Sequence, residues 1–118
     1  MQVAEMLEQI KNNPKDVSFE EVMSVIGENY DYQPVAFTNG IEGDQVINKA
    51  GDNEGSCRIF AFAKLNNLDE SETLACFGTY YRNDVLKNEE GTDHSNIRTF
   101  IRHGWAGIHF DEPALVPK

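Results

Sequence analysis

Between Cys57 and Ala63 the chain reads CRIFAFA, seven residues that carry a single charge. A segment so uniformly apolar must be enclosed on nearly every face by the rest of the molecule. With 118 residues there is length for one such centre and too little for two, so a single domain spanning 1–118 is expected. Alternation alone would permit a strand here, with Ile59, Ala61 and Ala63 on one face. The alanines, the continuation to Leu65 and Ser56 as an N-cap favour a central buried helix.

The remaining pattern is largely helical. Val3, Met6, Leu7 and Ile10 recur at i, i+3, i+4 and i+7, one face of an amphipathic helix that Pro14 ends. Ser18 with Glu21 forms a capping box for a second helix, whose apolar face is Phe19, Val22, Met23, Ile26 and Tyr30. Asp69 with Glu72 caps a helix through LDESETLACFGTYYR, with Leu74, Phe77 and Tyr81 in one stripe and Gly78 in its interior. Asp93 caps a last helix closed by Gly104, with Ile97, Phe100, Ile101 and Trp105 as its core stripe. The stretch 39–56 reads as an ordered loop with one helical turn, the kind of long loop that often carries function. The expected fold is mainly α, about five helices around one core. Strand content is minor, near residues 35–38 and 105–110, and the tail 111–118 is expected to be loose.

Charge and cysteine usage narrow the function classes. The net charge is −10, so nucleic acid and anionic membranes would repel the chain, and neither is expected as a partner. No segment approaches ~18 consecutive apolar residues, the length a membrane span needs. The N-terminus has neither the basic flank nor the apolar run of a secretory signal peptide. Residues 1–56 hold three Lys, no Arg and eleven acids, whereas all four Arg lie beyond them. Any anion-binding surface is therefore expected in the second half. Two cysteines without CxxC or paired His/Cys spacing point to free thiols in a reducing compartment, with no zinc site. No catalytic metal, calcium loop, phosphate-binding glycine loop or GxSxG elbow is written in the chain, and no cofactor is expected.

Several segments, taken in order, resemble the HopJ type III effector family: AFTNG (36–40), GSCRIFAFAKL (55–65), TLACFGTYYRNDVL (73–86), GTDHSNIRTF (91–100) and HGWAGI (103–108). Their joint order carries the likeness, over roughly residues 3–110. The resemblance implies a bacterial protein and, from the family's name, an effector delivered into a host cell by a type III system. It implies no enzymatic activity. No Ser precedes Ser18 and residues 2–12 read as a helix, whereas type III signals are flexible and Ser-rich. Residence in the bacterial cytoplasm is therefore the first expectation, with secretion into a host as the second.

Two functional readings follow. The leading one is a small non-catalytic interaction or ligand-binding module, taking a host or bacterial protein partner or a small anionic ligand. Its candidate residues are Asn39, Ser56, Tyr81, Arg82, Asn96, Arg98 and Arg102. His94, Arg98 and Arg102 form a cationic stripe at i, i+4 and i+8, suited to a carboxylate or phosphate; pairing with the chain's own acids is the favoured alternative. Tyr80, Tyr81, Arg82 and Asp84 at a helix end suit a contact surface, or a core tyrosine and a neutralised helix terminus. The second reading is a small enzyme with Cys57 as nucleophile, His94 as base and Asp93 or Asn96 orienting it; a plain buried cysteine fits the same residue. Either site is expected where the 39–56 loop meets the start of the helix at 92–98.

Overall fold

The computed structural model describes residues 1–118. In chain order it contains α1 (Val3–Asn12), a 3-10 turn (Pro14–Asp16), α2 (Phe19–Asn29) and β1 (Tyr30–Tyr32). A hairpin of β2 (Phe37–Ile41) and β3 (Asp44–Asn48) follows, then α3 (Glu54–Leu65) and α4 (Glu70–Ala75). A π-helical turn (Tyr80–Val85), α5 (Ser95–His103), a 3-10 turn (Gly104–Gly107), β4 (His109–Phe110) and β5 (Leu115–Pro117) complete it.

The expectation of a mainly α fold is corrected: the chain is 53% helical and 15% strand, a mixed α and β fold with two small antiparallel sheets. One sheet has the order β3-β2-β4 and the other pairs β1 with β5. The stretch 39–56, expected as a loop, supplies most of the hairpin, with Phe37 opposite Asn48 and Ile41 opposite Asp44. The reason is legible in the burial. Asn39 and Asn48 face inward and are fully enclosed, while Ile41 and Ile47 point to solvent at 51% and 72% exposure. The period-2 signal of a strand is present, but beside Phe37 its core positions are taken by asparagines, so apolar alternation is broken.

The tail is likewise not loose. Leu115 and Ala114 are buried, and β5 pairs with β1 from Tyr32↔Leu115 to Tyr30↔Pro117. The helix expected to run through Gly78 stops at Ala75. Gly78 has φ +61°, and a Cβ there would lie 2.8 Å from the Phe19 backbone nitrogen, so the chain must turn at this point against the start of α2. Ser56 and Asp93 are not the N-caps; α3 and α5 begin after Asn53 and His94. Ile101, expected in the core, is 46% exposed.

Other local signals hold. Ser18 Oγ accepts from the Glu21 amide at 3.1 Å, and Asp69 with Glu72 forms a reciprocal capping box. The CRIFAFA segment is helical and central. Cys57, Ile59, Phe60, Phe62 and Ala63 are almost wholly enclosed within a core of 25 buried residues. The Phe60 ring meets those of Phe37, Phe77, Phe100 and Trp105 at centroid distances of 5.0–6.4 Å. Trp105 is half-buried, and its indole N–H donates to the Leu68 carbonyl at 3.0 Å.

Candidate functional site

The starts of α3 and α5 open onto one cleft. It has a volume of about 320 Å³ and is lined by Asn53, Gly55 and Ser56 from the first helix and by His94, Ser95, Asn96 and Ile97 from the second. Phe19, Phe77 and Tyr80 complete the wall. Asn53 and His94, the residues that precede the two helices, both sit in the left-handed region at φ 50°, and neither caps its helix with a side-chain hydrogen bond. The first three N–H groups of each helix, on Glu54, Gly55, Ser56, Ser95, Asn96 and Ile97, consequently have no acceptor in the chain. They point along the helix axes toward the cleft side, where the dipoles place partial positive charge.

The aromatic wall is ordered by edge contacts. Phe19 and Tyr80 stand edge to face at 5.2 Å, and Tyr80 leans on the His94 ring at 5.2 Å. Gly55 lets the Phe19 ring close on the start of α3; a Cβ there would sit 2.9 Å from Phe19 Cζ. His94 Nε2 lies 3.0 Å from Asp84 Oδ2 and 3.8 Å from Asp93 Oδ2, so the imidazole is held between two carboxylates at the rim.

Beneath the cleft lies a network of amides. Asn53 Nδ2 donates to Asn48 Oδ1 at 2.7 Å. Asn48 and Asn96 exchange bonds, Nδ2 to Oδ1 in each direction, at 3.2 and 3.0 Å. Asn39 Nδ2 donates to the Asn96 carbonyl at 2.8 Å and to its Oδ1 at 3.1 Å. Asn39 Oδ1 is left with no partner although the residue is fully enclosed.

Of the residues singled out from sequence, Ser56, His94 and Asn96 line this cleft, and Asn39 lies behind it through Asn96. Cys57 does not. It is 1% exposed, its Sγ faces the Val35 carbonyl at 4.0 Å, and it makes no hydrogen bond to His94. Burial pushes its thiol pKa up, and pushes that of Cys76 up to about 12, so neither thiolate forms readily. Asp93 pairs with Arg98 at 2.7 Å, and that ion pair holds its carboxyl below the usual range. Arg98 and Arg102 are engaged within the chain. Arg98 is 8% exposed and spends its guanidinium on backbone carbonyls and Asp93, while Arg102 grips Asp44 in a fork at 2.8 and 3.1 Å. Arg82 Nη1 donates to the Pro14 carbonyl at 3.3 Å, and Tyr81 packs half-buried against the core, away from the cleft. Phe19, Asn53, Gly55, Phe77, Ser95 and Ile97 line the cleft without having been singled out from the sequence as site residues, whereas Tyr80 and Asp84, read there as part of a contact surface, meet His94 at the cleft. Asn53 looks like an ordinary loop residue until the fold joins it to Asn48.

No group of three or more His, Cys, Asp or Glu side chains is arranged to hold a metal ion, and no helix is long and apolar enough to cross a membrane. A second, apolar groove of about 510 Å³ lies elsewhere, along Ala61, Leu65, Phe110, Pro113 and Leu115. Lys64 and Glu112 are the charged residues in its lining.

No match was found among curated proteins. The chain is similar to a solved structure described as the crystal structure of unknown function protein VPA0580. The two share 48% identity and a TM-score of 0.95, with 100% of this chain and 95% of that one covered. A family model described as HopJ type III effector protein matches residues 3–115. Matched over almost its whole length, the chain belongs to the HopJ type III effector protein family.

Proposed function

We propose that this protein is a ligand-binding module, and that the cleft between the starts of α3 and α5 is its binding site. The ligand is a small molecule or side group with a carboxylate or phosphate head and an apolar or aromatic body. One observation carries the reading: six backbone N–H groups at the starts of α3 and α5 lack acceptors, and five of them belong to residues that line the cleft beside an aromatic wall. Helix starts of this kind bind anions through the N–H groups and the dipole together. The anion's partner is thus the backbone, and not the arginines, which salt bridges and carbonyls already occupy. Phe19 and Tyr80 would flank the apolar body, and His94 would meet the head at the rim.

The enzyme reading is disfavoured on geometry. A nucleophilic thiol needs access and a base, and Cys57 has a buried sulfur and no bond to His94. Delivery to a host cell accords with the family's name and stands as part of the proposal, alongside residence in the bacterial cytoplasm. A protein partner would reach the same cleft by presenting a terminal or side-chain carboxylate.

The test is an amide-resolved NMR titration with benzoate, and with benzyl alcohol as its uncharged counterpart. Benzoate should shift the amides of 54–56 and 95–97, and benzyl alcohol should bind much more weakly. Equal binding of the two, or shifts confined to the groove around Leu65 and Phe110, would overturn the reading.

A further inference from the structure

The two helix starts that form the cleft are far apart in sequence, and no backbone hydrogen bond joins them. Side chains join them instead, and the joint is Asn48, which does not itself line the cleft. From the inward face of β3, its Oδ1 accepts from Asn53 at the start of α3 and from Asn96 at the start of α5. Its Nδ2 donates back to Asn96 Oδ1 and, at 3.4 Å, to the Val46 carbonyl. A planar amide can do this because it accepts and donates at once. An aspartate would lose the donor and bury a charge, and a leucine would leave the amides of Asn53 and Asn96 short of partners.

The network is retained against its cost. Asn39 and Asn48 occupy enclosed strand positions where apolar residues would pack more cheaply, and Asn39 Oδ1 remains unsatisfied. Asn39 directs its amide donor to both oxygens of Asn96, so that the first turn of α5 is held from two strands. A buried polar network whose links converge on two helix starts specifies one geometry for them.

We propose that Asn48 is the positioning residue of the site: through Asn53 and Asn96 it fixes the spacing of the α3 and α5 starts, and with it the affinity of the cleft. This rests on the binding reading, and Asn48 acts only through its neighbours.

The experiment compares Asn48→Ala, Asn53→Gly and, as a control for lost stability, Leu115→Ala in β5, which packs on the C-terminal half of α3, away from the cleft. Asn53→Gly keeps the positive φ of that position and removes only the exposed side chain, so it folds even where Asn48→Ala does not. Without ligand, amide chemical shifts are read at 54–56 and 95–97. Both sets should change in each network variant, including the α5 set when only Asn53 is altered, and neither should change in Leu115→Ala. With benzoate, the Kd should rise about tenfold in Asn48→Ala, the scale of one lost buried hydrogen bond, and stay constant in Leu115→Ala. Changes confined to residues 44–48, or equal changes in the control, would overturn the role of Asn48. If the wild-type protein takes up no benzoate, the binding reading falls, and the ligand-free amides still decide whether Asn48 sets the spacing.

Discussion

Arg98 donates to the carbonyls of Asp84, Asn88, Glu89 and Asp93 and to the Asp93 carboxylate, at distances from 2.6 to 3.4 Å. One buried guanidinium thereby gathers the segment 84–93, which has no α-helix or strand of its own to hold it against α5. Replacing Arg98 by Ala should cost about 3 kcal/mol, because several carbonyls and a carboxylate lose their partner together. Lys should not restore it, since an ammonium cannot reproduce the fork. Urea unfolding of the two variants checks this, and a loss below about 1 kcal/mol for both would contradict the structural role. The sequence shows an arginine on a helix in an acidic chain, which suits a ligand but favours internal pairing. What decides between them is the convergence of four carbonyls from a loop, and no residue pattern announces that. Ser56, His94 and Asn96 were legible because each belongs to a helix start, and helix starts are written locally.

At the scale of elements, the hairpin is clamped to the end of α5. Asp44 in β3 takes the Arg102 fork and a bond from His103 Nε2 at 2.6 Å. These hydrogen bonds, the Arg102 bond first, lower the Asp44 pKa from 3.8 to about 2. The folded value lies below the unfolded one, so the stabilisation is fully present above about pH 4 and is lost as pH falls toward 2. Asp44→Asn should therefore flatten the acid limb of the stability curve in that window and leave its shape near neutrality unchanged. A wild-type-like acid limb in the variant would contradict the clamp. The helices α1, α2 and α3 and the caps at Ser18 and Asp69 were readable because periodicity and capping are local. The hairpin was not, because two of its inward residues are asparagines whose partners, Asn53 and Asn96, lie at the starts of α3 and α5. Nor was the break at Gly78, where the start of α2, distant in sequence, occupies the space a side chain would need.

In the whole molecule, the apolar segment at the centre of the sequence is the centre of the structure. Phe60 is fully enclosed among four aromatic rings from β2, α5 and the turns beside them. Its truncation to Ala should cost about 3–5 kcal/mol by chemical denaturation, a large part of a typical domain's stability; a cost below about 1 kcal/mol would remove it from the core. The same enclosure takes in Cys57 and leaves the cleft to Ser56 and its neighbours, one residue away. Affiliation with the HopJ family supplies an architecture shared with the VPA0580 structure and no reaction; the cleft supplies a recognition chemistry. The most direct measurement is a crystal of the protein grown with 4-bromobenzoate, with the bromine located by anomalous scattering. A bromine peak is expected between Phe19 and Tyr80, with the carboxylate within about 3 Å of the N–H groups at the starts of α3 and α5. A peak in the apolar groove at Leu65 and Phe110, with the cleft empty, would contradict it.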